Sequence, residues 1–144
     1  MSTSKLWDKV SKTDPAHTKK VSQRGGFTAI DAYHQIHNAT QEFGPVGTGW
    51  GWSILSYQVH EPFIIVNLEF WHGNKSQHFA VFGCAELMGK RNDADAPKKA
   101  LTDAITKALS YLGFNADVFL GKFDDSKYVE QRQAQVAADN IKPV

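Results

Sequence analysis

Basic side chains, which are the residues best suited to hold phosphate groups, outnumber acidic ones in two separate regions of this sequence. Residues 1–26 carry six Lys and Arg against two acidic residues, and residues 89–113 carry five against three. Residues 27–88, between them, carry a single Lys against five acidic residues. Two basic regions of this kind are typical of a surface that contacts a nucleic-acid backbone. They are also typical of solvent-exposed tails and helix faces that bind nothing, which is the commoner case.

Aromatic side chains are concentrated in the middle of the chain, where exposed rings could stack on nucleic-acid bases. Most aromatic residues at strand positions belong to a hydrophobic core. Trp50 and Trp52 stand beside a flexible glycine-rich loop, and we take these two as the candidates for exposed, base-contacting rings. The other aromatic residues of this region are Tyr57, Phe63, Phe70, Trp71, Phe79 and Phe82.

The sequence contains no recognisable nucleotide-binding or hydrolytic motif. Glycines at 44, 47, 49 and 51 form a glycine-rich loop, but no Gly-Lys-Ser or Gly-Lys-Thr follows. The loop also leads into a predicted strand, whereas a phosphate-binding loop leads into a helix. No Ser-His-Asp or Cys-His arrangement stands out either. We therefore expect a protein that is not an enzyme, uses no ATP and carries no cofactor.

Two sets of residues could suggest a metal site, and both are incomplete. His34 and His37 are spaced i, i+3 on a predicted helix, but zinc needs further ligands and the only cysteine lies far away in sequence. Asp117, Asp124 and Asp125 could suggest a metal-dependent nuclease, yet no acid-x-Lys pattern follows the acids of the predicted strands. We interpret these aspartates as turn and cap residues, and we expect no metal.

One stretch, residues 96–113, predicts the long helix that must position the second basic region. Asp95 is suited to cap the start of this helix, and Gly113 to close it in the left-handed conformation. Small alanines along one side would let a sheet or another backbone approach closely. The apolar face comprises Leu101, Ile105, Leu109 and Leu112 with Ala100, Ala104 and Ala108, and the polar face Lys99, Asp103, Thr106, Lys107 and Ser110.

Apolar periodicity and turn residues predict the elements that precede this helix. A short strand at 27–30 leads into a helix capped by Asp31, and three strands follow at about 50–60, 63–72 and 77–87. The first two of these strands should form a hairpin, and the third, which is nearly all apolar, should be central or covered. The order predicts an α+β fold: a strand and helix, then a three-stranded antiparallel meander and a long helix.

The organisation of the chain is that of one core with short flanking segments. We divide it into a basic N-terminal arm at 1–22, a core at 23–125 and a C-terminal helix or tail at 126–144, of 144 residues in all. We find no membrane span and no secretory leader in the sequence. Cys84 lies in an apolar run, so we expect it to be buried and inert in a protein of the reducing cytosol.

Several segments together resemble the Rad fifty-two family, which comprises eukaryotic recombination mediators and phage single-strand annealing proteins. Residues 99–105, 107–109 and 112–113 are similar to the signature helix of that family. The likeness covers roughly residues 19–128 in the same order and at similar spacing. Its other segments are a strand and helix ending in Phe-Gly (27–44), a Gly-Trp-Ser step (51–53), a third strand (79–86) and an Asp-x-x-Tyr region (124–128).

The resemblance implies a β-β-β-α core, ring or filament homo-oligomers, and a groove that holds single-stranded DNA by its backbone with the bases outward. It implies ATP-independent annealing for homologous recombination by a phage or prophage protein, in the cytoplasm of a bacterial host cell. Further partners of such a protein would be a phage exonuclease or a host single-strand-binding protein.

The resemblance also assigns DNA-contacting positions, residue by residue. Lys107 falls on a basic position of the signature helix, whereas Thr106 and Ser110 stand where the family has two further basic residues. A family arginine of the arm falls near Lys19, and a family tyrosine of the first strand is Ala29 here. Arm and helix should then form opposite walls of one groove. The DNA-binding candidates are Lys107, Arg24, Lys19, Lys20, Lys98, Lys99, Trp50 and Trp52.

Two other classes of protein fit the same residues. One is a single-strand or double-stranded-RNA binding protein that does not accelerate annealing. The other is a structural assembly protein whose sheet and alanine-rich helix only make oligomer contacts.

Overall fold

The structure, a computed structural model, describes residues 5–22, 25–87 and 94–141, and of residues 74–76 the backbone alone. The helices are α1 (Lys5–Val10), α2 (Ala32–Phe43), α3 (Ala96–Tyr111), α4 (Ala116–Phe119) and α5 (Ser126–Asn140). The strands are β1 (Thr18–Val21), β2 (Phe27–Ile30), β3 (Trp50–His60), β4 (Phe63–His72) and β5 (Asn74–Glu86). Two short 3-10 turns, Pro15–His17 and Lys122–Asp124, accompany them. None of the helices in these described ranges has the length and apolar character that crossing a membrane requires.

The order of the elements confirms the predicted α+β fold, with β2 and α2 followed by a three-stranded antiparallel meander and then α3. Gly113 has a φ of 106° and lies just beyond α3, as predicted. Strand β1 was not predicted, because its sequence, Thr-Lys-Lys-Val, carries little apolar signal. Residues 23–24, before β2, and residues 88–93, between β5 and α3, lie outside the described residues.

The chain forms two compact units, each of which is described by itself. The sheet unit comprises Ile36–Leu109 and contains β3, β4, β5 and most of α2 and α3. The terminal unit comprises Met1–Gln35 together with Ser110–Val144, and contains β1, β2, α4 and α5.

In the sheet unit, β4 lies between β3 and β5 and is antiparallel to both. Its residues alternate between buried and half-buried, which is the pattern of a strand with one covered face. The core of the unit forms on that covered face. The residues of β4 that it buries are Ile64, Val66, Leu68 and Phe70.

Helix α3 packs against β5 at a point where neither element has a bulky side chain. A Cβ atom added to Gly83 would lie 2.4 Å from the carbonyl oxygen of Ala100 and 2.4 Å from the backbone nitrogen of Ala104. Both alanines are fully buried. This contact confirms the prediction that the alanines of α3 let another backbone approach closely. β5 is thus an edge strand that α3 covers on one face, rather than a central strand.

In the terminal unit, a buried carboxylate fastens the N-terminal segment to α4 and α5. Asp117, which is 3% exposed, accepts hydrogen bonds on Oδ2 from the Thr13 backbone N–H and the Tyr128 hydroxyl, both at 2.8 Å. Its Oδ1 accepts from the Thr13 hydroxyl at 2.5 Å and from the Val118 N–H at 2.9 Å. Arg132 Nε donates to the Thr13 carbonyl at 3.1 Å. Asp117 therefore does more than the turn or cap role predicted from the sequence.

Candidate nucleic-acid interface

Lys107 is held beside the edge of β5 by contacts within the sheet unit. Its Nζ lies 3.1 Å from Asp103 Oδ2 and 5.6 Å from the centroid of the Phe82 ring. The same oxygen of Asp103 accepts a hydrogen bond from the backbone N–H of Cys84 at 2.9 Å. Because one carboxylate binds both the backbone of β5 and the lysine ammonium, α3 and β5 together fix the position of Lys107.

The ion pair between Lys107 and Asp103 is accessible to a ligand. The two side chains are 39% and 36% exposed, respectively. An exposed i, i+4 pair of this kind is worth only about 0.3–0.5 kcal/mol, so a phosphate group can replace the carboxylate at little cost. The ammonium of Lys107 can therefore exchange Asp103 for a phosphate. The negative charge of Asp103, which stays beside it, partly offsets the positive charge of the lysine.

The other lysines of α3 differ in how they relate to Lys107. Lys99, Asp103 and Lys107 lie on one stripe of the helix, because residues four apart face the same side. Lys99 is exposed and lies about 12 Å from Lys107 along the helix axis. Lys98 is 81% exposed and lies 3.8 Å from Asp95, rotated about 100° from Lys99 around the axis. Lys99 thus extends the basic stripe, whereas Lys98 lies to one side of it.

The prediction of an exposed Trp50 is wrong, because this side chain is 0% exposed. Its ring centroid lies 5.8 Å from that of Phe70 and 6.0 Å from that of Trp52. Trp52 pairs with Phe70 across β3 and β4, and Trp50 pairs with His72, so both tryptophans point to the face that buries Phe70. Trp52 is half-buried. The glycine-rich loop does not expose them, because strand alternation decides which face they occupy.

On the opposite face of the sheet, the register brings together a row of side chains that the sequence did not single out. Phe82 of β5 lies opposite Asn67 of β4, which lies opposite Ser56 of β3. Phe82 is 55% exposed, and Asn67 Nδ2 donates to Ser56 Oγ at 3.1 Å. A signal for Phe82 was present in the sequence: if Gly83 faces a close backbone, its neighbour must face the other side.

The basic residues of the N-terminal region lie in the terminal unit. Lys19 and Lys20 are exposed on β1, where Lys19 pairs with Ala29 and Lys20 with Thr28 of β2. The two positions that the resemblance assigns to DNA contact here, Lys19 and Ala29, are thus direct neighbours across the hairpin. Arg24 lies outside the described residues.

The histidines considered as metal ligands do not face a common site. His34 stacks on His17, with ring centroids 3.6 Å apart, and His37 is exposed. Across the described ranges, no group of three or more His, Cys, Asp or Glu side chains is placed to hold a metal ion. Asp125 accepts a hydrogen bond from the Lys127 N–H at 2.9 Å, which confirms its predicted cap role at the start of α5.

Neither a protein-family model nor a curated protein sequence matches this chain. The resemblance to the Rad fifty-two family rests on the order and spacing of the chain's own segments.

Proposed function

We propose that this protein binds single-stranded DNA by its backbone and anneals complementary strands without nucleotide hydrolysis, as a homo-oligomer in the cytoplasm of a bacterial host. The observation that carries the proposal is the unit formed by β3, β4, β5 and α3, with Lys107 held at the edge of β5. The β-β-β-α order is the one that the resemblance implies. Lys107 is also the residue that falls on the basic position of the signature helix.

Backbone binding accounts for annealing in physical terms. Lysines that hold phosphate groups leave the base edges free to pair, and they bind any base sequence. Lys99 and Lys107 supply such contacts on α3, and Lys19 and Lys20 supply them on β1. That the two sets line one groove stays a prediction.

A structural assembly protein is the second candidate function, and strand β3 favours it. β3 is an edge strand of eleven residues, and it carries exposed apolar side chains without any Lys, Arg, Asp or Glu. Such an edge is suited to pairing with another chain. The exposed apolar side chains are Ile54, Leu55, Tyr57 and Val59.

A time course of annealing between two complementary labelled oligonucleotides, without nucleotide, separates these functions. We expect the protein to accelerate annealing, and we expect ATP to change nothing. Binding without acceleration would leave a plain nucleic-acid binder, and absence of binding at low salt would leave an assembly protein.

Replacing Lys107 tests the assigned contact directly. We expect Lys107→Gln to weaken binding of single-stranded DNA and to reduce the slope of log K against log salt by about 0.7, because one phosphate contact is lost. The matched control is Lys127→Gln, which removes the same charge from an exposed position of α5 and should leave the slope unchanged. Equal affinities of wild type and Lys107→Gln across the salt titration would refute the assignment.

A further inference from the structure

The open face of the sheet carries an aromatic ring with a cation beside it and hydrogen-bonding side chains in line with it. Phe82, Asn67 and Ser56 stand side by side across β5, β4 and β3, and Lys107 lies at the Phe82 end of this row. Phe82 keeps 55% of its surface exposed although the ammonium lies over its ring. We name the four residues the Phe82 row.

The neighbouring positions on this face are also accessible. Ala80, Phe63 and Ser53 are exposed, and Ile65 and Glu69 are half-buried. By contrast, the residues of β4 that point to the other face are buried in the core. Phe82 stands on the edge strand of this open face, which also carries the acidic residues Glu69 and Glu86, and its exposed ring is available to a flat ligand.

The chemistry of the Phe82 row fits one nucleotide of a single strand. An exposed aromatic ring stacks on any base, because every base has a π-face. Lys107 lies within one side-chain length of the ring, where the phosphate of a stacked nucleotide can replace Asp103 as its partner.

We propose that Phe82 stacks on one base of the bound single strand while Lys107 holds the phosphate of the same nucleotide. This inference rests on the proposed binding of single-stranded DNA and adds to it a contact with a base. One stacked base per subunit leaves the other bases free to pair. The stack would fix the position of the strand on the protein without selecting a base sequence.

Two strands that share a phosphate backbone but differ in their bases distinguish this contact from backbone binding. The probes are labelled oligothymidylate and an oligonucleotide of equal length in which abasic residues replace the thymidines. We expect the full-length wild-type protein to bind oligothymidylate about tenfold more tightly than the abasic strand, as one stacked base predicts. We expect Phe82→Ala to lose this preference while keeping the salt slope, and Phe82→Trp to retain it.

A matched control and the unfolding temperature guard against a merely structural effect. Tyr33→Ala removes an aromatic side chain of α2 that is 81% exposed, and it should keep the preference for bases. Equal binding of both strands by the wild-type protein would overturn the stacking contact, and so would a Phe82→Ala variant that keeps the preference. In either case the proposed annealing can still be measured separately. Preferential binding that depends on Phe82, without annealing, supports the stack and removes the proposed annealing instead.

Discussion

Gly83 is the position at which one added carbon atom should most disturb the sheet unit. In Gly83→Ala, the new Cβ would lie 2.4 Å from Ala100 O and Ala104 N, about 1 Å short of the 3.4 Å at which ordinary contact begins. The obstacles are backbone atoms of α3, so no side chain can rotate away. Helix and strand must separate instead, and the hydrogen bond from the Cys84 N–H to Asp103 spans the gap that would widen.

The size of the effect follows from this geometry. Overpacking a close contact costs about 1–3 kcal/mol, and a clash with backbone on two residues belongs at the upper end. A loss of about 3 kcal/mol lowers the unfolding temperature of a chain of this length by about 10 °C. Thermal unfolding measures the loss. Amide hydrogen exchange at Cys84 reports whether the contact with Asp103 has opened.

The control for Gly83→Ala is Ala80→Val, which adds two carbon atoms at an exposed position of the same strand on the opposite face. It should change the free energy of unfolding by no more than about 0.5 kcal/mol. A Gly83→Ala variant as stable as wild type, with unchanged exchange at Cys84, would refute the close packing of α3 on β5.

Two further predictions concern the buried network of the terminal unit. Asp117→Ala leaves the N–H and hydroxyl of the buried Thr13 without their acceptor. It should lower the free energy of unfolding, measured with denaturant, by about 3 kcal/mol. Equal stability of Asp117→Ala and the control Asp124→Ala, at an exposed position, would contradict this. Burial and the bond to Asp117 raise the pKa of Tyr128 from 10.0 to about 12. Stability from Tyr128 is therefore complete below pH 10.0 and is lost as the pH rises towards about 12. The denaturation midpoint should fall across this window in wild type and less in Tyr128→Phe, and parallel curves would remove the tyrosine as the cause.

The elements of this fold were predictable wherever side-chain spacing alone decides the structure. The apolar periodicity of residues 96–113 predicted α3, and the turn residues predicted the meander. Both signals depend on residues that are close together in sequence. Strand β1 was not predicted, because it is the pairing with β2 that makes Thr-Lys-Lys-Val a strand. Local sequence does not contain that partner.

The candidate site was predictable in part. The position of Lys107 on the polar face of α3 was predictable because the periodicity of that helix was, whereas its assignment to DNA contact came from the resemblance and stays a prediction. Trp50 was assigned to the wrong side and Phe82 was not singled out, because only the pairing with β4 shows which face an aromatic strand residue occupies. Asp117 was underestimated because its main partner, Thr13, lies 104 residues away in sequence.

The uncharged edge of β3 has a consequence for the behaviour of this chain in concentrated solution. Strands at the edge of a sheet usually carry a lysine, a proline or a bulge that discourages uncontrolled growth. β3 has one of these devices, a register shift near Leu55. Its eleven residues lack the other two, because they include no lysine and no proline. Solubility will therefore depend on what occupies this edge. At high concentration and without an occupant, the chain should be prone to aggregate through the strand that makes it suitable for ordered assembly.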